Sequence, residues 1–355
     1  MSTDERFAAA IDFAVAHEIP WPRDPAADAS GWGLHQVDPP PYNCLRGPVH
    51  ARGGVSGVVR QRGRVVAAWG EPDRADLTFS VAKSYLAMLA GVAHGRGLLP
   101  DVDEPVVERV RGIGFESTHN RQVTWQHLLT QTSEWEGSNF GIPDTVDRYR
   151  HVTHEPRAPQ GKKGDPRPLQ RPGTYWEYND VRINQFSLAL LHLFQQPLPE
   201  VFDEALMQPL ECSASWRWRG YDDATVDLAG RRVQSVPGGT HWGGGVSISA
   251  SDQSRLGQLL LDGGSHGGRE LLPSSWVHRM RQPCAIAPYY GWLLWLNGDG
   301  SVLPGASTQA YCMVGAGGHL VWMEPAHEAV VVVRWMDPAH TAGFMERMTA
   351  ALAQD

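Results

Sequence analysis

The strongest secondary-structure signal in the chain lies near its C-terminal end. Residues Val330 to Trp335 read Val-Val-Val-Val-Arg-Trp, which is the most strand-like run in the chain. Such a strand pairs with other strands in a sheet, and further strand patterns occur in both the early and the late part of the sequence. Further strand patterns occur at 55–69, where a turn near Gly63 predicts a hairpin, and at 290–296, 308–314 and 320–323.

Helical patterns occupy the middle of the chain. Predicted helices cover 6–17, the stretch from 80 to the glycines at 91–97, 124–130, 180–195, 200–210, 251–261 and 341–352. Strands early, helices in the middle and strands late predict an α+β fold, in which helices flank an antiparallel sheet built from both chain ends. We expect residues 1–78 and 275–355 to form the sheet domain and residues 79–274 a mostly helical domain, with the functional site at their interface.

Composition disfavours several functional classes. With 42% hydrophobic and 20% charged residues, the 355-residue chain has the make-up of a globular protein with a sizeable core. Its net charge of −8, without a basic patch beyond residues 161–164, disfavours nucleic acid as a partner. No apolar run approaches membrane-spanning length and no signal peptide is recognisable, so we expect a cytoplasmic protein that does not bind membranes. The widely spaced cysteines are predicted to be reduced core residues; they are Cys44, Cys212, Cys284 and Cys312.

A serine and a lysine stand three residues apart at the start of an apolar helix. Residues i and i+3 share one helix face, so the Ser80 Oγ and Lys83 Nζ atoms are able to meet. The free N–H groups at the helix start favour a developing negative charge, and a lysine in apolar surroundings is a suitable nitrogen base. These are the parts of an activated serine nucleophile. The alternative is an N-cap serine and a surface lysine, although Lys83 is one of only three lysines among 31 basic residues.

Other motifs in the chain are weaker candidates. Gly263–Gly267 matches Gly-x-Ser-x-Gly, but a helix precedes it and no helix follows, so a turn is favoured over a nucleophile elbow. His151 and His154 lack the order of a zinc site, and Gly315–Gly318 is followed by a strand rather than by the helix of a dinucleotide site. We therefore expect no metal and no cofactor. The irregular stretch 134–173 is typical of a lid or binding loop.

Two further stretches are compatible with catalysis. Tyr178 lies at the start of a predicted helix, and a tyrosine beside a lysine ammonium is able to act as a general base; a buried core tyrosine is the alternative. The strand that ends at Gly315 is followed by small residues, which let a substrate approach backbone N–H groups as an oxyanion hole requires. A plain tight turn is the alternative there.

Taken together, these motifs resemble those of the serine β-lactamase and penicillin-binding-protein superfamily, and in particular its class C-like esterase and amidase branch. The likeness spans about 55–336, with the motifs in the family's order. The matching segments are Ser80-x-x-Lys83, the Thr-x-x-x-Leu-Leu-like stretch 124–133, the Pro-Gly…Tyr-x-Asn-like stretch 172–180, and the stretch 241–245 with the helix after it.

The resemblance implies a β-lactamase/DD-peptidase-like fold and a role for each matching residue. Ser80 would attack a carbonyl group and become acylated, while Lys83 and Tyr178 would share the proton transfers, with the base in each half-reaction left open. The N–H groups of Ser80 and Ala316 would form the oxyanion hole. Trp135, Trp242 and the loop 134–173 would shape the acyl pocket. The candidate substrate-binding residues are Asp180, Trp135, Trp242, Gly315, Gly317 and His319.

The chain departs from the family pattern at two positions. Asp180 stands where the family's Tyr-x-Asn motif has an amide that contacts substrate. The strand before the small residues reads Met313-Val314-Gly315, where β-lactamases carry Lys-Thr-Gly or His-Thr-Gly, so the cation that would hold a carboxylate is missing. The Gly-x-x-Gly-His ending is similar instead to 6-aminohexanoate-oligomer hydrolases and family VIII-type esterases.

We therefore expect a serine hydrolase that cleaves small carboxylic esters or simple amides through an acyl-enzyme on Ser80. An acyltransferase with the same acyl-enzyme is the first alternative, since a dry pocket lets an amine or alcohol outcompete water. A β-lactamase or D-aminopeptidase is less favoured, and an inactive binding scaffold is the non-enzyme alternative. The oligomeric state is left open.

Overall fold

The structure, a computed structural model, describes residues 5–27 and 31–354. Within these residues the chain forms eight α-helices and fifteen strands. The helices are α1 Ala8–Ala16, α2 Val81–Gly95, α3 Trp125–Leu129, α4 Asp180–Phe194, α5 Leu198–Phe202, α6 Ala250–Leu261, α7 Ser274–Met280 and α8 Thr341–Leu352. The strands are β1 Ser56–Gln61, β2 Arg64–Trp69, β3 Asp76–Leu77, β4 Ser138–Asn139, β5 Ile142–Pro143, β6 Arg217–Arg219, β7 Thr225–Leu228, β8 Arg231–Gln234, β9 Gly245–Ile248, β10 Ser265–His266, β11 Arg269–Glu270, β12 Trp295–Leu296, β13 Tyr311–Gly315, β14 His319–Glu324 and β15 Ala329–Arg334.

A six-stranded antiparallel sheet holds strands from both parts of the chain, in the order β12-β13-β14-β15-β1-β2. The valine-rich run forms β15, which lies between β14 and β1, with Val332 opposite Val321 on one side and Val58 on the other. Every residue of β15 is buried, as its unbroken apolar pattern predicts. The α+β fold with a sheet built from both chain ends is thereby confirmed.

Helix α2 lies between this sheet and the helices of the middle of the chain. All of its residues from Val81 to Ala93 are buried, and it packs against α4 and α7 as well as against β13 and β14. The end of β13 comes very close to the residues before α2, since a Cβ atom on Gly315 would lie 2.2 Å from the carbonyl oxygen of Thr78. The missing side chain of Gly315 therefore allows the strand end and the helix start to touch.

Helix α6 covers one face of the sheet and packs against β1, β14 and β15. A Cβ atom on Gly257 would lie 2.7 Å from Cγ1 of Val330 and 3.2 Å from Cγ1 of Val321, so the glycine allows this close approach. Because α6 belongs by sequence to the segment 79–274, part of that segment packs on the sheet. The limits of the two predicted domains stay predictions.

Two predicted elements differ from the observed ones. The strand expected at 290–296 is reduced to β12, because Leu293 has a left-handed φ of 53° that interrupts the extended backbone. Its backbone instead links two helices: its N–H donates to the Leu129 carbonyl and its own carbonyl accepts from Ser84 Oγ at 2.6 Å. The helix expected at 200–210 is α5 followed by a π-helical turn.

A small antiparallel sheet in the order β3-β9-β6, which was not predicted, stands next to the start of α2. Its strands are two to four residues long, too short for an alternating pattern to reveal them. The hairpin β7–β8 was missed as well.

The four cysteines are all free. Cys312 is buried as expected, but Cys44 is exposed, so the prediction that all four are core residues is wrong. None of the helices in the described part of the chain has the length and hydropathy that a bilayer crossing requires.

Candidate active site

Ser80 is the residue immediately before α2, and Lys83 lies one turn further on the same face. The Lys83 Nζ atom donates a hydrogen bond to the Ser80 Oγ atom over 2.7 Å. Lys83 is 1% exposed, whereas Ser80 is only partly buried, so the contact lies at the boundary between the core and solvent. The sequence prediction that the two side chains meet agrees with this geometry, which lies within the reach that proton transfer requires.

Phe79, the residue before Ser80, has a left-handed φ of 50°. This conformation is unfavourable for a bulky residue and persists where packing enforces it, most often at functional sites. The Phe79 ring is enclosed by Trp21 at 5.6 Å and Trp335 at 6.1 Å between ring centroids. Packing of this aromatic cluster therefore fixes the backbone that presents Ser80.

Asp180 is the first residue of α4, and its carboxylate contacts the same Lys83 Nζ atom that donates to Ser80. The preceding residue, Asn179, caps the helix by accepting from the N–H groups of Val181 and Arg182. Two sequence expectations are wrong here. Lys83 is not in purely apolar surroundings, and Asp180 is 2% exposed and pairs with Lys83 rather than facing a substrate.

A buried network of charges surrounds this pair. It consists of three carboxylates and three cations, namely Asp38, Asp147, Asp180, Lys83, Arg150 and Lys163. Arg150 Nη1 contacts Asp180 Oδ2 at 2.8 Å and Asp147 Oδ2 at 3.2 Å. Lys163 Nζ contacts Asp38 and lies 3.2 Å from Asp147 Oδ1. The formal charges cancel, as a buried ionic cluster requires.

The pKa values in this network follow from its charges. Burial alone would raise the pKa of the Asp180 carboxyl, but the positive charges of Arg150 and Lys83 lower it well below its usual range. Asp180 is therefore ionised at neutral pH. Burial lowers the pKa of His241, whose Nε2 lies 2.7 Å from Asp38 Oδ2, so this imidazole is neutral and adds no charge.

A second buried network lies beside the first and holds the segment 134–182. It pairs three carboxylates with three arginines, namely Glu134, Asp144, Glu177, Arg148, Arg167 and Arg182. Arg182 contacts all three carboxylates, with distances of 2.6 Å to Asp144, 2.6 Å to Glu177 and 3.1 Å to Glu134. Buried ion pairs of Arg148 and Arg167 therefore hold the segment 134–173, which was predicted to be a lid or binding loop.

Tyr178 lies beside Lys83 and Arg150. The Lys83 Nζ atom is 4.7 Å from the centroid of the tyrosine ring, and the Arg150 Cζ atom is 5.2 Å from it. Trp295 stacks on the ring with 5.8 Å between centroids. Two cations and one aromatic side chain therefore fix the position of the phenol.

Ser80 opens into a cavity of about 290 Å³. Of the residues predicted for the site, Ser80, Tyr178, Gly315, Ala316, Gly317 and His319 line this cavity. Residues 150–154 and Lys163, which belong to the stretch 134–173, line it as well.

Trp135 and Trp242 do not line this cavity, so their predicted role in shaping it is wrong. Trp135 packs edge-on against Phe115, with 4.9 Å between ring centroids. Trp242 contacts the charge network instead: its Nε1–H donates to Asp38 Oδ2 over 2.9 Å. Tryptophan patterns in a sequence do not distinguish core packing from pocket lining.

The turn between β13 and β14 forms one edge of the cavity. It consists of Ala316, Gly317 and Gly318, and the two glycines have left-handed φ values of 77° and 72°. A Cβ atom on Gly318 would lie 1.6 Å from the carbonyl oxygen of Met336, so no other residue fits there. Within the described residues, the N–H groups of Ser80 and Ala316 donate no hydrogen bond in a turn, loop or cap, and both residues line the cavity.

His319 follows this turn and is 1% exposed. Neither of its ring nitrogens has a hydrogen-bond partner among the described residues. Burial, together with Arg334 and Arg52, lowers its pKa well below the usual value, so the imidazole is neutral.

Several site residues were missed from the sequence. These are Asp38, Asp147, Arg150 and Lys163 of the network and the cavity residues Ile19, Trp21, Leu34, Val37 and Trp295. One signal was present: the chain has three lysines, and two of them, Lys83 and Lys163, are at the site. Asp38 and Lys163 are far apart in sequence, so their pairing has no local pattern.

Comparisons with known proteins agree with the superfamily that the motifs suggest. Residues 43–353 match the Beta-lactamase family. No match is found among curated proteins.

Three solved structures illustrate the shared fold. A penicillin-binding protein homolog from Caulobacter crescentus has a TM-score of 0.62 and 16% identity, covering 99% of this chain and 99% of that chain. A D-stereospecific amidohydrolase from a Streptomyces species has a TM-score of 0.57 and 16% identity, covering 97% and 98% of the two chains. EstCE1, described as a hydrolase with promiscuous acyltransferase activity, has a TM-score of 0.59 and 17% identity, covering 84% and 93%.

Substitution of Arg182 by methionine tests the second network. The substitution removes the cation that contacts Asp144, Glu177 and Glu134 and leaves buried carboxylates with too few partners, so we expect the free energy of unfolding to fall by about 3–5 kcal/mol. Urea denaturation measures this change. The matched control is Arg111→Met, at an exposed arginine 3.9 Å from Glu108, where little change is expected. Equal losses in the two variants would contradict the account.

The pH dependence of stability tests the neutral state of His319. Its pKa is well below 6.5 in the folded protein and returns to about 6.5 on unfolding, so its contribution is complete above pH 6.5 and is lost as the pH falls. Between pH 6.5 and 5, the free energy of unfolding should fall more steeply in the wild type than in His319→Phe, by up to about 1.4 kcal/mol per pH unit. Urea denaturation across this range gives the slopes, with His50→Phe at an exposed histidine as the control. Identical slopes in wild type and His319→Phe would show that the imidazole is not held neutral.

Proposed function

This chain belongs to the Beta-lactamase family, and from that premise we propose that it is a serine hydrolase that cleaves carboxylic esters or simple amides through an acyl-enzyme on Ser80. The observation that carries the proposal is the 2.7 Å hydrogen bond between Lys83 Nζ and Ser80 Oγ at the floor of a cavity. A serine beside a buried nitrogen base, with N–H groups available next to it, supports nucleophilic acyl transfer.

In the first half-reaction the Ser80 Oγ atom attacks the carbonyl carbon of the substrate. A bond forms between these two atoms. The proton of the hydroxyl passes to Tyr178 in its phenolate form, or to Lys83 once the ammonium that pairs with Asp180 has released its own proton to water. The negative charge on the carbonyl oxygen is stabilised by the N–H groups of Ser80 and Ala316. The intermediate then expels the alcohol or amine, which takes up the proton, and the acyl-enzyme remains.

In the second half-reaction a water molecule attacks the acyl carbon and gives its proton to the same pair of residues. The carboxylic acid leaves, and the proton returns to Ser80. Asp180 keeps the Lys83 Nζ atom in place during both steps, because its buried carboxylate forms an ion pair with this atom. Asp180 acts through Lys83 and is therefore a positioning residue.

The charges of the site favour an uncharged substrate over a β-lactam or a D-amino acid peptide. The lysine and arginine side chains that line the cavity in the described part of the chain are Arg150 and Lys163, and both are paired with buried carboxylates. Met313, which stands where β-lactamases carry a cationic residue, is 1% exposed. Neither Arg150 nor Lys163 is therefore unpaired and able to bind a substrate carboxylate.

Acyl transfer to an alcohol or amine is the second candidate activity. Apolar residues such as Val152, Trp295 and Met336 line the cavity and disfavour water near the acyl-enzyme. A similar structure, EstCE1, carries the description of a hydrolase with promiscuous acyltransferase activity. Addition of an alcohol during ester turnover distinguishes the two activities by the ratio of new ester to free acid.

Acylation of Ser80 tests the proposal. Wild-type protein mixed with p-nitrophenyl acetate and quenched in acid should gain the mass of one acetyl group on the peptide that contains Ser80, and Ser80→Ala should gain none. Lys83→Met should slow acylation by at least about 100-fold, because proton transfer to a positioned base contributes about that much. Tyr178→Phe should slow it as well.

Lys162→Met is the matched control, because Lys162 is an exposed lysine that does not line the cavity. It should acylate at the wild-type rate. An unlabelled wild-type protein would contradict the hydrolase proposal, and wild-type acylation in Lys83→Met would place the base elsewhere.

A further inference from the structure

The N-terminal part of the chain supplies one wall of the cavity in front of Ser80. Ile19 and Trp21 line it from one stretch, and Leu34 and Val37 line it from a second stretch. All four side chains are apolar. Met336 and Pro338, which follow β15, line the cavity as well. The result is an apolar wall made of residues from both parts of the chain.

The first stretch is fixed to the end of the main sheet. The Ile19 N–H donates to the Trp335 carbonyl over 2.8 Å, and Glu18 forms a β-bridge with Met336. The guanidinium of Arg52 donates to the carbonyl oxygens of Ile19 and Trp21. Ile19 and Trp21 are therefore part of the folded wall.

The second stretch is fixed by Asp38, the residue after Val37. The Asp38 carboxylate contacts Lys163, accepts from Trp242 Nε1–H over 2.9 Å and lies 2.7 Å from His241 Nε2. The Asp38 side chain is fully buried, whereas Val37 is 78% exposed. The buried Asp38 carboxylate thus holds the apolar Val37 side chain in contact with water at the cavity. Covering this side chain with a ligand is favourable, because apolar surface is then removed from water.

The chemistry of this wall determines what it can bind. None of its four residues carries a polar side-chain group except for the indole N–H of Trp21. The neighbouring cations Arg150 and Lys163 are already paired with buried carboxylates. A charged group would lose its hydration here without gaining a partner, so the wall fits an uncharged alkyl or aryl group.

The match to the Beta-lactamase family begins at residue 43, after all four wall residues. The residues that carry the chemistry, from Ser80 to Ala316, lie inside the matched part. These four wall residues therefore lie outside the part of the sequence that matches the family and that contains Ser80 and Ala316.

From these observations we propose that Ile19, Trp21, Leu34 and Val37 are specificity-determining residues that bind an uncharged alkyl or aryl group of the substrate beside Ser80. The role in turnover rests on the proposed hydrolase function, whereas the binding of an apolar group does not. The wall makes long or aromatic esters better substrates than short ones.

A pair of esters that differ only in acyl length tests the role in turnover. The ratio of kcat/KM for p-nitrophenyl octanoate to that for p-nitrophenyl acetate should fall by about ten-fold in the double variant Leu34→Ser/Val37→Ser, chiefly through KM for the octanoate. The matched control is Val15→Ser, at another exposed valine that does not line the cavity, and its ratio should equal that of the wild type. The ratio of kcat/KM for benzyl acetate to that for ethyl acetate tests whether the wall binds the alcohol part of the ester instead of the acyl part. A ratio that is unchanged in the double variant for both ester pairs would overturn the proposal.

Binding to protein without the nucleophile separates this proposal from the hydrolase function. Ser80→Ala should bind 2-decanone more tightly than 2-butanone in isothermal titration calorimetry, and Leu34→Ser/Val37→Ser in the same background should reduce that preference by about ten-fold. If the wild type cleaves no ester but the preference is present, the hydrolase proposal fails and the apolar wall stands. If the preference is absent, or is unchanged in the double variant, the wall does not bind the apolar group.

Discussion

The contact of Lys83 with both Ser80 and Asp180 is the interaction on which the rest of the site depends. A lysine three residues after the serine has a long, flexible side chain, and helix geometry alone does not fix its amine. Asp180 fixes it, because α4 begins at this residue and directs its carboxylate at the Nζ atom. Burial of the pair makes the arrangement rigid, but it also requires that the two charges be balanced.

The need to balance buried charges explains why several ionic side chains lie around the cavity. Asp180 faces two cations, so Asp147 and Asp38 are needed to balance Arg150 and Lys163. The second network of three carboxylates and three arginines then holds the chain that carries Asp147 and Arg150. A site whose cations are all engaged in this way has a neutral interior, which agrees with the apolar walls of the cavity and with a preference for uncharged substrates.

The parts of this picture that the sequence predicted are those encoded locally. The Ser80–Lys83 spacing lies within one helical turn, the run Val330–Val333 is an unbroken β-branched stretch, and glycines mark the turn after Gly315. The family motifs added Tyr178, which the structure places beside Lys83.

The parts that the sequence did not predict depend on contacts between distant segments. Asp38, Asp147 and Lys163 meet only in the folded chain, and the role of Asp180 as the partner of Lys83 is set by where α4 begins. Trp135 packs against Phe115 rather than in the pocket, and nothing in the local sequence around it indicates this partner. Side-chain type indicates what a residue is able to do, and the fold decides which neighbours it has.

The rate at which a small fluorophosphonate labels Ser80 tests the central role of Asp180 most directly. Such a reagent needs an activated serine but does not fill the substrate cavity. Labelling, followed by intact mass, should be slower by about 100-fold or more in folded Asp180→Asn, and less affected in Asp147→Asn, which removes a carboxylate that does not contact Lys83. Labelling of Asp180→Asn at the wild-type rate, together with a raised KM for esters, would contradict the account and make Asp180 a substrate contact.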